Sequence, residues 1–263
     1  MLYKLNHILA DINNHVKKQK PFSIVRIGDG DLKLLDALVL GRMNKQKFNR
    51  SGIPHNKGDW VLQLYRESCN SANYTSSFEM YYTDEFWHRK FSEGTKSKVL
   101  DWKRIYKKVG ITNTNFCNPE IGHLLFLDQK NNLMNLMEGK RICLITCYQK
   151  VGKFLLKCGV ENADAIKIPA IGRGHYNQYT SVKEEIAKKI QDFDMFLISA
   201  GALGKGYALC IKNLGGVAID VGQVINFWAG RPIAGRFRGV LGKGKRPGTF
   251  EIRKRVQQYR KFI

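Results

Sequence analysis

An α/β domain, Rossmann-like, with a mostly parallel sheet and flanking helices, is the fold class this sequence predicts. Three observations predict it. From Arg141 onward, short apolar runs alternate with amphipathic segments: RICLITC, VGKFLLKCG, AIKIP, SVKEEIAKKIQ, DMFLISA, GKGYALCIKNLG and GVAID. An earlier apolar run, FSIVRI, opens into Gly28-Asp29-Gly30-Asp31 and then into the apolar segment LKLLDALVL. Glycines gather where the apolar runs end. Strands alternating with helices read as βαβ units on a parallel sheet, and such sheets bind ligands at the carboxyl ends of their strands.

Taken in order, residues 2–18 place Leu2, Leu5, Ile8, Leu9, Ile12 and Val16 on one helical face. Lys17 to Pro21 break that helix, and Phe22 to Ile27 reads as a buried strand. Residues 32–40 read as a helix, so the GDGD segment stands at a strand-to-helix junction. Residues 42–135 mix polar loops such as SGIPHNKGDW with stretches such as WVLQLYRESC, and are expected to form a helical, loop-rich insertion. RICLITC then reads as a strand, and VGKFLLKCG as a short helix ended by Gly159. SVKEEIAKKIQ carries a capping-box pattern, Ser181 with Glu184, and presents Val182, Ile186 and Ile190 on one face. Its Glu184/Lys188 and Glu185/Lys189 pairs have the favourable i,i+4 order. DMFLISA and GVAID are strands around the helix GKGYALCIKNLG.

A chain of 263 residues can bury one good core, and one domain is the expectation. Its charge balance is unusual: 44 Lys and Arg against 22 Asp and Glu, a formal +22. That charge implies a polyanionic partner: nucleic acid, anionic lipid headgroups or a phosphorylated substrate. From Arg231 to Ile263 there are eleven Lys or Arg and one acid, Glu251, a net +10. None of the six cysteines forms a CxxC pair, and several lie in apolar runs, the pattern of reduced, buried thiols. The N-terminus lacks the apolar core of a secretory leader, and no stretch approaches the ~18 to 20 apolar residues of a membrane span. A cytoplasmic protein is expected.

The strand ends carry the candidate chemistry. After the first strand stand Arg26, Gly28, Asp29, Gly30 and Asp31. Hard cations such as Mg²⁺ and Mn²⁺ take one or two carboxylates and complete their shell with phosphates and water, and D-x-D can supply the carboxylates. Arg26 can pair with phosphate or hold a carboxylate in place. The same residues also suit a glycine-rich turn, with Asp31 as a helix N-cap. SAGALGKG, Ser199 to Gly206, places glycines and Lys205 between a strand and a helix, as a phosphate cradle does; it is not a P-loop, and close helix–strand packing explains the glycines equally. Asp220 and Gly222 end the last strand. Thr146, Tyr148 and the loop Gly172-Arg173-Gly174-His175-Tyr176 follow two others, with His175 placed to touch substrate. Glu120 and His123, in NPEIGH, form a candidate base and neighbour.

FSIVRIGDGDLKLL near the N-terminus, together with FLISAGALGKGYALCIKNLGGVAIDVGQVINFWAG near the C-terminus, resembles the GT-D fold glycosyltransferases, long labelled DUF1792. Members typically carry RxGDGE before an apolar helix and a late glycine-rich strand–helix–strand ending in an AIDIG-like segment. The resemblance covers most of residues 20–230. It implies a metal-dependent transfer of sugar from a nucleoside-diphosphate donor, a UDP-sugar first among them, with Mn²⁺ or Mg²⁺ as cofactor. The family's D-x-E maps onto Asp29 and Asp31; here the second acid is the shorter aspartate. Gln223 stands where many relatives carry histidine.

On that resemblance Asp29 and Asp31 are expected to hold the metal. Ser199, Gly201, Gly204 and Lys205 would cradle the donor, with Arg26, Gly28, Gly30, Asp220 and Gly222 completing the cleft. The candidates for a general base are Asp31, Asp220 and Glu120, in that order. Residues 1–235 are expected to form one transferase domain and 236–263 a basic tail. The tail would hold an anionic, lipid-linked glycan acceptor at the inner face of a membrane. The resemblance places the enzyme in bacterial surface-polysaccharide or glycoprotein synthesis. The competing reading is a basic nucleic-acid-binding protein on the same scaffold, although no nucleic-acid-binding motif accompanies the charge.

Overall fold

A computed structural model describes residues 2–42, 52–78, 101–119, 121–122, 125, 133–170, 174–225 and 229. Glu120, His123, Gly172, Arg173 and the basic tail lie outside the described residues. Within them the chain runs α1 (Leu5–Lys17), β1 (Phe22–Val25), α2 (Asp29–Val39), α3 (Gly58–Ser71), β2 (Tyr74–Ser76), α4 (Trp102–Val109), β3 (Phe116–Cys117), α5 (Leu133–Met137), β4 (Arg141–Thr146), α6 (Val151–Lys157), β5 (Asn162–Lys167), α7 (Tyr179–Lys189), β6 (Met195–Ile198), α8 (Gly204–Asn213) and β7 (Val217–Asp220).

The seven strands form one sheet in the order β3-β2-β1-β7-β6-β4-β5, and every pairing is parallel. Alternate residues along each strand face opposite layers, as the period of two demands. Ile24, Ile142, Leu144, Leu197 and Ile219 pack with α1, α5 and α6. Val25, Cys143, Ile145, Phe196, Ile198 and Ala218 pack with α2, α3, α4, α7 and α8. Because both faces are covered, the central strands are buried along nearly their whole length rather than at alternate positions.

The strand connections diverge between β6 and β4: from β6 the chain steps to β7 on one side, and from β4 it steps to β5 on the other. In open parallel sheets a ligand binds in the crevice at such a divergence, beyond the carboxyl ends of the strands.

Several expectations change. Residues 42–135 are not wholly an insertion, because they supply β2 and β3 to the sheet. Both strands are only two or three residues long, too short for a period of two to show in sequence. The helix predicted from Leu32 begins at Asp29, with Gly28 as its N-cap. α7 begins at Tyr179, running on from a 3₁₀ turn at His175–Gln178. Ser181 is therefore already inside the helix; its hydroxyl donates to the Gln178 carbonyl (3.0 Å) and makes no capping box. Leu2 is 41% exposed and lies outside α1, whose other predicted core positions are all buried.

Gly206 shows how tightly α8 sits. A methyl group there would overlap the Tyr179 hydroxyl and come within 2.6 Å of Leu64 Cδ1. Both side chains would have to shift at once, and the Tyr179 ring is already packed against Trp60 and Tyr207. Gly206→Ala is expected to cost about 3 kcal/mol, read as a lower urea midpoint at constant slope.

Candidate active site

The carboxyl ends of β1, β7, β6, β4 and β5 open into one cleft of ≈ 880 Å³. Its polar lining includes Arg26, Asp29, Asp31, Lys205 and Asp220, and its apolar lining Leu34, Ala37, Ile168 and Pro169. Of the predicted site residues, Gly28, Gly30, Ser199, Gly201 and Gly222 also border it. Gly204 does not. It is buried beneath, where a methyl group would meet Ile198 Cγ2 at 3.1 Å, so its glycine serves helix–strand packing.

Helical geometry separates the two aspartates of the GDGD turn. Asp29 and Asp31 are the first and third residues of α2, and positions two apart on a helix point about 200° from each other. Asp29 turns outward. Its side chain is 46% exposed and its carboxylate stands 3.7 Å from the Lys33 ammonium, one turn on. Asp31 turns inward. Its Oδ2 accepts the Gly28 N–H (2.8 Å) and its Oδ1 accepts the Tyr65 hydroxyl from α3. Lys205 Nζ lies 3.4 Å from Oδ2.

Lys205 is buried, 2% exposed. Its ammonium donates to Asp220 Oδ2 (2.9 Å) and to the Gly201 carbonyl (3.4 Å). It occupies the first turn of α8, where the helix dipole disfavours a cation. The two carboxylates offset that disadvantage. Burial alone would raise the Asp31 carboxyl, but Lys205, the Tyr65 hydroxyl, the Gly28 N–H and Arg26 outweigh it and hold it below its ordinary value. Burial alone would lower the Lys205 ammonium, but Asp220 and Asp31 outweigh it and hold it above. Both groups are charged at neutral pH. Lys205 is thus committed to protein carboxylates, not extended toward a donor.

Arg26 ties three strand ends together. Its Nε donates to the Pro119 carbonyl beyond β3 (2.6 Å). Its guanidinium lies over Gly28 and Gly222, where added methyl groups would stand 3.3 and 2.7 Å from it. Gly222 also has φ +57°, a conformation that favours glycine. Its N–H donates to Asp220 Oδ1 (3.1 Å), fixing that carboxylate for Lys205.

His175 lies in the cleft wall, 2% exposed, with Nε2 3.1 Å from the Tyr207 hydroxyl. Burial pushes its pKa down to about 4, so the ring is neutral at pH 7. The unfolded chain binds the proton more readily, so this group's stabilisation is complete above the unfolded pKa of 6.5 and is lost as pH falls toward 4. The loss amounts to about 3 kcal/mol. In His175→Gln, the slope of melting temperature between pH 6.5 and 4 is expected to flatten.

Sequence reasoning missed Tyr65, which reads as an ordinary core position of α3, and Asp36, Lys33 and Arg42, which line the cleft from α2 and its end. Lys33 had a signal, its i+4 spacing from Asp29. Asp36 had another, a lone acid in an apolar helix; it is 4% exposed and 3.6 Å from the Arg104 guanidinium. Tyr65 had none.

The cleft lies at the carboxyl ends of an all-parallel sheet, where doubly wound α/β proteins bind ligands, and comparison places the chain among the GT-D fold-like domains. The family model of GT-D fold-like domains matches residues 93–228, and the chain belongs to that family. Solved structures agree on the fold. A DUF1792 glycosyltransferase from Streptococcus sanguinis is 15% identical, with a TM-score of 0.57 over 86% of this chain and 82% of that one. A DUF1792 domain described as having a distinct glycosyltransferase fold is 13% identical, with a TM-score of 0.56 over 86% of this chain and 79% of that one. No curated protein matches the sequence.

The donor set decides how a divalent cation would fit. Among the described residues no three His, Cys, Asp or Glu side chains converge on a point. The site is therefore no preformed cage. It does fit a hard cation that arrives with a diphosphate and takes one or two protein carboxylates. Asp29 is the exposed one, at the open N-terminus of α2.

Proposed function

We propose that this enzyme transfers a sugar from a nucleoside-diphosphate sugar, a UDP-sugar first, to a glycan acceptor, assisted by Mn²⁺ or Mg²⁺. The observation that carries the reading is Asp29: an exposed carboxylate at the first position of α2, on the lip of the switch-point cleft of a GT-D-family fold. When bound, the cation would neutralise charge developing on the departing nucleoside diphosphate. Asp29 would hold it together with the donor phosphates. The backbone of Ser199 to Gly201, which also borders the cleft, would face the diphosphate, and Leu34, Ala37, Ile168 and Pro169 would pack against the rest of the donor. Asp31 and Asp220 share the Lys205 ammonium. They serve the site better as fixed charge than as the free general base that the sequence suggested.

The basic tail fits an anionic acceptor. Its net +10 would attract a lipid-linked pyrophosphate glycan and an anionic membrane surface, in surface-polysaccharide or glycoprotein synthesis in a bacterium. No described helix is long and apolar enough to cross a membrane. The nucleic-acid reading rests on the overall charge alone. The cleft does not favour it, since its Arg26, Lys33, Arg42 and Lys205 are matched by Asp29, Asp31, Asp36 and Asp220.

The deciding experiment is release of nucleotide from a panel of nucleoside-diphosphate sugars with Mn²⁺, beside an EDTA control. Release from one donor, abolished by EDTA, is the expected result. Silence across the panel, with no thermal shift from any nucleotide, would sink the proposal.

A further inference from the structure

We propose that the two aspartates of the GDGD turn do separate jobs: Asp31 is a structural residue, joined with the buried Lys205 and Asp220 in a carboxylate–ammonium–carboxylate clamp, and Asp29 alone is the carboxylate offered to a substrate-borne cation. The Asp29 half rests on the function proposed above; the clamp stands on geometry alone.

The geometry leaves Asp31 little to give. Both its oxygens are engaged, Oδ1 by Tyr65 and Oδ2 by the Gly28 N–H, with the Lys205 ammonium 3.4 Å from Oδ2. To bind a divalent cation directly, it would have to release a buried lysine lying between it and Asp220. The clamp joins separate parts of the crevice. Asp31 belongs to α2 after β1, Asp220 ends β7, and Lys205 opens α8 after β6 while also holding the Gly201 carbonyl. Lys205 thus supplies, from the protein itself, the cation that two facing carboxylates require. D-x-D on a strand or loop can close on one ion. On the first turn of a helix its two side chains diverge, and here each has found a different partner.

Mn²⁺ binding is followed by electron paramagnetic resonance, with and without uridine diphosphate, on the wild type and on Asp29→Asn, Asp31→Asn and Tyr65→Phe, each with its melting temperature. Asp29→Asn is expected to weaken Mn²⁺ in the nucleotide complex by about tenfold or more, with the melting temperature nearly unchanged. Asp31→Asn is expected to lower melting by about 10 °C, with Mn²⁺ affinity of the folded fraction within about threefold of wild type. Tyr65→Phe keeps the charges and frees Oδ1, so it guards against an Asp31→Asn chain that does not fold. It should melt a few degrees lower and leave Mn²⁺ affinity unmoved. If Asp31→Asn removes Mn²⁺ binding at unchanged melting temperature, or Tyr65→Phe tightens it severalfold, the division of labour is overturned. If wild type binds no Mn²⁺ even with the nucleotide, the metal reading and Asp29's role both fail. The clamp is then still judged by whether Asp31→Asn, and not Asp29→Asn, loses stability.

Discussion

Lys205→Met is expected to destabilise the fold by about 4 kcal/mol, lowering the melting temperature by about 10 °C. The substitution keeps most of the side chain's volume, so packing is nearly unchanged. It removes the one ammonium between Asp31 and Asp220 and leaves two carboxylates facing a buried gap. Breaking a buried ion pair from one side costs more than the pair was worth, because the remaining charge stays desolvated. The pH dependence supplies a signature. In the wild type the Asp31 carboxyl is held below 3.8, so its stabilisation is present above that value and lost as pH falls through the folded pKa. Without Lys205 the strongest influence opposing burial is gone and the carboxyl rises relative to the wild type. The folded variant then binds protons more readily than the folded wild type, and its deficit shrinks on acidification. Chemical denaturation at pH 7 and pH 5 measures both effects. A deficit below 1 kcal/mol, or one that grows at pH 5, would contradict the clamp.

Asp29→Asn is expected to reduce Mn²⁺-dependent release of nucleotide by about 100-fold or more, with a melting temperature close to wild type. The side chain is 46% exposed, and its 3.7 Å pair with Lys33 is a surface contact of little weight. An exposed substitution of this kind shifts stability by only about 0.5 kcal/mol. Loss of rate without loss of stability separates a residue that meets substrate from one that holds the fold. Steady-state kinetics beside a thermal melt decide it, and an unchanged rate would remove Asp29 from the chemistry.

The layered fold was legible because its signals are local. A strand covered on both faces is an unbroken apolar run, as in FLI of β6 and VAI of β7, and the covering helices carry a 3.6-residue period. β2 and β3 escaped because two or three residues carry no period, and only pairing, β2 with β1 and β3 with β2, makes them strands. The start of α7 was misread for a related reason: SVKEE has the letters of a capping box, but the 3₁₀ turn before it is already helical, so Ser181 has no cap to make.

The candidate site divides in the same way. That Asp29, Asp31, Ser199, Gly201, Lys205, Asp220 and Gly222 would meet was readable from the sequence, because each follows a strand of a parallel sheet and all such ends face one crevice. Which partner each would choose was not. A sequence gives Asp29 and Asp31 the same chemistry two positions apart, and gives Lys205 the look of a phosphate ligand. Burial changes that. Lys205 enters a place where a bare ammonium is costly, and two carboxylates distant in sequence stand near enough to offset it. The residue types and the strand-end positions are one-dimensional facts. The pairing of Lys205 with Asp31 and Asp220, the bond from Tyr65, and the exposure of Asp29 are set by the order of the strands and by the turn of α2, through contacts between residues far apart in the chain.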